Sequence, residues 1–75
     1  MKYIVIEINH TETVIIFPKF IKHKNMAKRV LREGEKVLSA GFISFDEASC
    51  FGKSITLGVG SRPTRDNLLL EILTS

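Results

Sequence analysis

Residues 3–17 read YIVIEINHTETVIIF and place the chain among proteins that contain a β-sheet. Tyr3–Ile8 and Thr13–Phe17 are rich in β-branched side chains, which are enriched in strands. The polar segment 9–12 between them has the length of a hairpin loop. Pro18 ends the second run, because it cannot donate a hydrogen bond to a neighbouring strand. The sequence therefore predicts a β-hairpin.

The next segment, Lys19–Glu33, has the apolar spacing of a helix. Its apolar side chains fall on one arc of a helical wheel, and its cationic side chains fall on the opposite arc. Asn25 is an alternative N-cap for a shorter version of this helix, and Gly34 follows at a position where glycine commonly ends a helix. His23 lies within the apolar arc and is expected to be a hydrogen-bonded core residue. The other residues expected on the buried face are Phe20, Met26, Ala27, Val30 and Leu31.

Two further strand-like runs and a last helix complete the pattern. Val37–Phe45 and Phe51–Val59 flank a turn-prone polar segment and predict a second hairpin. Ser61 and Thr64 are both good N-caps for the last helix, which is expected to end near Thr74.

The element order ββαββα predicts a single α+β domain that spans residues 1–75. Two hairpins make a four-stranded, largely antiparallel sheet, and both helices are expected to cover one face of it as a two-layer sandwich.

A chain of 75 residues has few ways to stabilise so small a core. Cys50 is the only cysteine, which excludes an intrachain disulfide, and two histidines beside it rarely make a structural metal site. We expect no metal and no cofactor, and self-association remains as a source of stability.

The last helix carries a wide apolar stripe. Leu68, Leu70 and Ile72 are therefore candidate residues for a homodimer interface.

The chain shows no charged start, apolar centre and cleavage site of a secretory leader. Its longest apolar runs fall far short of the roughly 18 residues that a membrane span needs. We expect a cytoplasmic protein that does not associate with membranes.

Positive charge is concentrated in residues 19–32. This segment holds six Lys and Arg residues and no acidic residue, although the whole chain has 11 basic and 8 acidic residues. Lys24, Lys28, Arg29 and Arg32 would form a cationic helix face, which favours phosphate contacts and therefore nucleic acid as a partner. The other interpretation is the solvated outer face of a core helix.

Two smaller groups of residues each have a functional and an ordinary interpretation. Ser61, Arg62 and Arg65 lie at the start of the last helix, where free N–H groups favour an anion, but ordinary capping explains the same residues. Cys50 and one of the two histidines would make a thiolate–imidazole pair if the fold brought them together, and nothing in the spacing does so. A 75-residue chain has little room for an enclosed active site, and we expect no enzyme.

Several short motifs resemble a pattern in small uncharacterised proteins from phage and prophage genomes. The resemblance implies a stand-alone protein in a bacterial or phage setting and brings no established activity with it. We predict a non-catalytic protein-interaction module that self-associates, with nucleic-acid binding as the alternative. The motifs are Ile16-Phe17-Pro18, Ser39-Ala40-Gly41-Phe42, Cys50-Phe51-Gly52-Lys53-Ser54 and Leu57-Gly58-Val59-Gly60-Ser61-Arg62-Pro63.

Overall fold

The structure is a computed structural model, and it describes residues 1–74. A four-stranded antiparallel sheet has the strand order β2-β1-β3-β4, and β5 and β6 pair as a separate antiparallel ribbon. The α+β class and the four-stranded antiparallel sheet with two helices are confirmed. The elements are β1 (Lys2–Ile8), β2 (Thr11–Phe17), α1 (His23–Val30), β3 (Val37–Ser44), β4 (Ser49–Phe51), β5 (Lys53–Ser54), β6 (Val59–Gly60) and α2 (Pro63–Thr74).

Strand β1 lies at the centre of the hydrophobic core. The four consecutive residues 3–6 have no exposed surface. Successive side chains of a strand point to opposite faces of the sheet, so both faces of β1 are covered. Tyr3 packs in one hydrophobic cluster with Leu70 of α2, whereas Ile4 packs in the other with Ala27 of α1. The two helices therefore lie on opposite faces of the sheet.

The prediction that both helices cover one face is wrong, and the fold has three layers. Helix α2 covers one face, while α1 and the β5–β6 ribbon cover the other, where Leu57 and Val59 join the cluster around Ile4. The physical reason lies in the run Tyr3–Ile8, which is apolar at nearly every position. Such a continuous run is typical of a strand that is buried on both faces.

The predicted strand Phe51–Val59 does not form as one element. Only Ser49–Phe51 pairs with β3, and the chain then turns at Gly52, whose φ is +77°. Glycine adopts this left-handed conformation without steric cost, so the chain can leave the sheet immediately after Phe51. The residues that follow fold back as the β5–β6 ribbon.

Helix α1 is shorter than the predicted helix Lys19–Glu33. Residues 18–21 form a turn in which Ile21 N–H donates to Pro18 O at 3.1 Å. Phe20 is consequently 86% exposed instead of buried. The helix has ended by Leu31, which has an extended backbone. Within residues 1–74, neither helix is long and apolar enough to cross a membrane.

The N-terminal hairpin is confirmed, with a tighter turn than predicted. Strand β2 begins at Thr11, so the loop contains only Asn9 and His10. Their φ angles are +49° and +66°, as in a type I′ turn. This turn gives a regular register between β1 and β2 along their whole length.

Candidate functional site

A buried carboxylate fixes the start of α2 against the sheet. The Asp66 residue is 1% exposed. It accepts hydrogen bonds from Tyr3 Oη at 2.5 Å and Ser39 Oγ at 2.9 Å. Arg62 donates its backbone N–H at 2.9 Å and its Nη2 at 3.0 Å. Burial, together with the Asp66 carboxylate, raises the pKa of the Tyr3 hydroxyl well above its ordinary value, so that this hydroxyl remains a donor.

Arg62 and Arg65, two residues of the predicted anion site, both bond Glu12 of β2. Each guanidinium Nη2 lies 2.7 Å from one oxygen of the Glu12 carboxylate. Hydrogen bonds from Arg65 and then from Arg62 hold the pKa of that carboxyl below its usual value. Ser61, the third residue of the predicted site, donates its backbone N–H to Gly52 O at 2.9 Å. Binding of an external anion here stays a prediction, and it would require displacement of Glu12.

The thiolate–imidazole pair does not form. Cys50 packs in the cluster on the α2 face of the sheet, whereas His23 belongs to α1 on the other face. His10 is exposed in the β1–β2 turn. Burial, with a contribution from the Asp66 carboxylate, raises the pKa of the Cys50 thiol and favours its protonated form.

An aromatic column runs from the core to the surface on the α1 face. His23 packs edge-on between Phe17 and Phe42, with ring-centroid distances of 5.5 and 5.6 Å. Its Nε2 lies 2.8 Å from Gly41 O, which confirms the expected hydrogen-bonded core histidine. Burial lowers the pKa of His23 and favours the neutral ring. Phe42 then stacks on Phe51 at 5.9 Å, and Phe51 is 50% exposed.

Two depressions adjoin at Phe42, near the outer end of this column. One has a volume of about 220 Å³ and three lysines in its lining. The other has a volume of about 470 Å³ and one lysine. No acidic side chain among residues 1–74 lines either depression. We call this region the basic–aromatic surface and define it by Lys2, Lys19, Lys22, Phe42, Phe51 and Lys53.

The cationic residues predicted to contact nucleic acid are all exposed. Lys24, Lys28 and Arg29 lie on α1 and make no ion pair with another residue of the described chain. Arg32 lies beyond the end of α1, where its backbone N–H donates to Glu35 Oε1 at 2.7 Å. The cationic face of the helix therefore consists of three residues, and the placement of Arg32 on the helix is corrected.

Strand β2 forms an open edge of the main sheet. It pairs with β1 on one side and with no strand of residues 1–74 on the other. A depression of about 190 Å³ connects this edge to α2. Its lining comes from Glu12, Thr13 and Val14 of β2 and from Leu69, Ile72 and Leu73 of α2.

Two of the three residues predicted for a dimer interface lie at the surface. Leu68 is 51% exposed and Ile72 is 73% exposed. Leu70 is 3% exposed and packs against Tyr3 in the core, so its assignment to the interface is wrong. Leu73, next to the end of the described helix, is also at the surface, with 55% of it exposed. We call Leu68, Ile72 and Leu73 the α2 stripe.

Comparison with protein-family models, curated proteins and solved structures gives no match for this chain. The resemblance to phage and prophage proteins therefore stays a prediction.

Sequence reasoning missed the contribution of Phe51 and Lys53 to one surface. The signal for it is the run Phe51-Gly52-Lys53, in which a glycine between an aromatic and a cationic residue permits a sharp change of direction. Sequence reasoning also missed Glu12, whose arginine partners lie 50 or more positions further along the chain.

Proposed function

We propose that the protein is a non-catalytic interaction module that forms a homodimer through β2 and the α2 stripe. One observation carries the proposal, namely that the open edge of β2 is continuous with apolar side chains of α2. An unpaired strand edge presents N–H and C=O groups that can pair with another strand. Strand β2 contains no lysine, proline or bulge, which are the features that commonly protect such an edge.

A second copy of the chain is the partner that fits this edge best. When β2 pairs antiparallel with β2 of a second copy, a twofold axis normal to the sheet relates the two chains. The interface is then self-complementary. The same axis places both copies of α2 on one face of the joined sheet. Glu12 is the only charged residue of β2, and Arg62 and Arg65 neutralise it, so two copies meet without like-charge repulsion.

Light scattering over a range of micromolar concentrations tests this proposal. We expect about twice the 8.5 kDa mass of the chain. The double variant I72D/L73D should be monomeric, because it places charges in the apolar interface. Ile55→Asp is the matched control, since Ile55 is 86% exposed but lies in the β5–β6 turn. A wild-type mass of 8.5 kDa at every concentration would contradict self-association.

Nucleic-acid binding through α1 is a second candidate function. It is favoured by the exposure of Lys24, Lys28 and Arg29 without an acidic partner among residues 1–74. Its test is the affinity for a DNA duplex, which should fall steeply as salt rises. The triple variant K24A/K28A/R29A should remove that binding.

A further inference from the structure

Four lysines from separate segments converge around the basic–aromatic surface. Lys2 begins β1, Lys19 lies in the turn after β2, Lys22 precedes α1, and Lys53 begins β5. Lys2 is held in place because its Nζ donates to Ile21 O at 3.0 Å. Cations that are clustered without acidic neighbours produce a local positive potential, which attracts a polyanion.

The aromatic part of the surface is a supported platform. Phe42 and Phe51 are directly opposite each other on β3 and β4, and their rings stack with an interplanar angle of 28°. His23 supports Phe42 from the core side at an interplanar angle of 88°. Phe51 therefore has one side against Phe42 while half of its surface remains open to solvent. A held, half-exposed ring of this kind can stack on a planar group at little cost in side-chain entropy.

We propose that the basic–aromatic surface binds single-stranded nucleic acid. A base would stack on Phe51, and neighbouring phosphates would contact Lys19, Lys22 and Lys53. Proteins that bind single strands without sequence preference combine a cationic groove with aromatic side chains on which bases stack. The larger depression, at about 470 Å³, is within the range of small-molecule pockets and can admit one splayed nucleotide.

A single strand suits this surface better than a duplex or a membrane. The faces of bases are covered in a duplex, so Phe51 would have nothing to stack on. A membrane would be contacted by a protruding apolar side chain such as that of Phe20, which is 86% exposed. The stacked rings instead line depressions and lie among the lysines. The surface therefore offers its aromatic contacts inside a concave region.

Fluorescence anisotropy with a labelled 12-nucleotide dT strand in low salt tests the platform. Phe51→Ala should weaken binding about 5- to 150-fold, the range found for the loss of one base–aromatic stack. Phe45→Ala is the matched control because Phe45 is 52% exposed in the β3–β4 turn, and it should leave the affinity unchanged. Equal affinities for wild type and F51A, with both folded by circular dichroism, would overturn the proposal.

Phe51→Trp gives a second readout that does not depend on the alanine variant being folded. The natural chain has no tryptophan, so all the indole fluorescence of F51W comes from this position. Stacking of a base should quench this fluorescence as dT is added, and the affinity should equal or exceed that of the wild type. Binding of dT without any change in this fluorescence would place the strand elsewhere.

Paired lysine variants distinguish this surface from the cationic face of α1. The K22A/K53A variant should reduce the slope of log affinity against log salt by about 1.4, because each phosphate contact on a single strand contributes about 0.7. The K24A/K28A variant removes the same charge from α1 and should leave dT binding nearly unchanged. The proposal fails if K24A/K28A alone abolishes binding, if a duplex binds as tightly as dT, or if only vesicles with anionic phosphatidylserine are bound.

Discussion

Asp66 is the polar side chain that ties three elements of the fold together. Its carboxylate accepts hydrogen bonds from Tyr3 of β1, from Ser39 of β3 and from Arg62 immediately before α2. A buried carboxylate without such donors would cost several kcal/mol. The cluster therefore specifies where α2 begins and which end of it meets the sheet.

Tyr3→Phe removes one donor from Asp66 while it preserves the packing of the ring. We expect a loss of about 1.5–3 kcal/mol in the free energy of unfolding, the usual range for a hydrogen bond to a charged group. Chemical denaturation of the two proteins at pH 7 measures this loss. Ser44→Ala, at a half-buried hydroxyl that accepts a 3.4 Å hydrogen bond from the Glu47 N–H, is a control that should change stability much less. Equal losses for the two variants would contradict a special role for the Asp66 cluster.

The same tyrosine predicts a pH dependence in alkaline solution. The pKa of Tyr3 is raised in the folded state from an ordinary value of 10.0, so only the unfolded chain releases this proton just above pH 10. The neutral hydroxyl therefore makes its full contribution to the free energy of unfolding below pH 10. That contribution decreases as the pH rises above 10. Tyr3 is the only tyrosine, and absorbance at 295 nm should show it ionising together with unfolding. Ionisation near pH 10 while circular dichroism still shows the native fold would contradict this prediction.

Gly41 occupies a position in β3 where no side chain fits. A Cβ atom there would overlap the Phe51 carbonyl of β4 and approach Tyr3 Cε1 to 3.3 Å. Gly41→Ala should therefore destabilise the protein by about 1–3 kcal/mol, the usual cost of overpacking. Gly60→Ala is the control, because its Cβ would meet only ordinary contacts, the nearest at 3.6 Å. Equal stabilities of the two variants in urea denaturation would contradict this account.

The turn of the β1–β2 hairpin holds two residues with positive φ, Asn9 and His10. His10 has a φ of +66°, which costs a residue with a side chain about 1–2 kcal/mol relative to its preferred conformation. His10→Gly should therefore stabilise the protein by about 0.5–1 kcal/mol, after the greater entropy of glycine in the unfolded chain is subtracted. Asn9→Gly should gain less, because the short polar side chain of asparagine can hydrogen-bond locally in this conformation. A lower melting temperature for H10G than for wild type would contradict this prediction.

The first hairpin, β3 and the presence of two helices could be predicted from the sequence, but the division of Phe51–Val59 and the layering of the helices could not. The β-branched run of β2 and the turn residues before it predict the first hairpin, because both signals are local. Because β1 is buried on both faces, its sequence is a nearly continuous apolar run. A buried helix segment can have the same pattern, so the run alone does not identify a strand that is covered on both faces. The side of the sheet on which α2 packs is then decided by Asp66 meeting Tyr3 and Ser39, contacts that span 63 and 27 positions.

The basic–aromatic surface was beyond sequence reasoning for a similar reason. Its residues come from β1, the turn after β2, the start of α1, β3, β4 and β5. The stacking of Phe42 on Phe51 depends on the β3–β4 register, which in turn depends on which residues form the turn. A turn one residue further along the chain would place a different residue opposite Phe42. The cationic segment of α1 was visible from the sequence because it is continuous.

The two proposed surfaces belong to different parts of the main sheet. The edge formed by β2 is at one end of the strand order β2-β1-β3-β4, and Phe51 belongs to β4 at the other end. The α2 stripe lies on one face of the sheet, whereas His23 and the aromatic column that supports Phe42 lie on the other. A dimer joined through β2 therefore leaves both copies of the basic–aromatic surface accessible.

This separation predicts that each chain of the dimer binds one short strand. Titration calorimetry with the 12-nucleotide dT strand should give one strand per chain, and light scattering of the saturated complex should give a mass of two chains plus two strands. The monomeric variant I72D/L73D should bind dT with the same affinity as the wild type, because its substitutions lie far from Phe51 in the strand order. One strand per dimer, with much weaker binding by I72D/L73D, would instead mean that a single strand crosses the twofold axis. The two surfaces would then be parts of one site, and the independence inferred from the sheet order would be wrong.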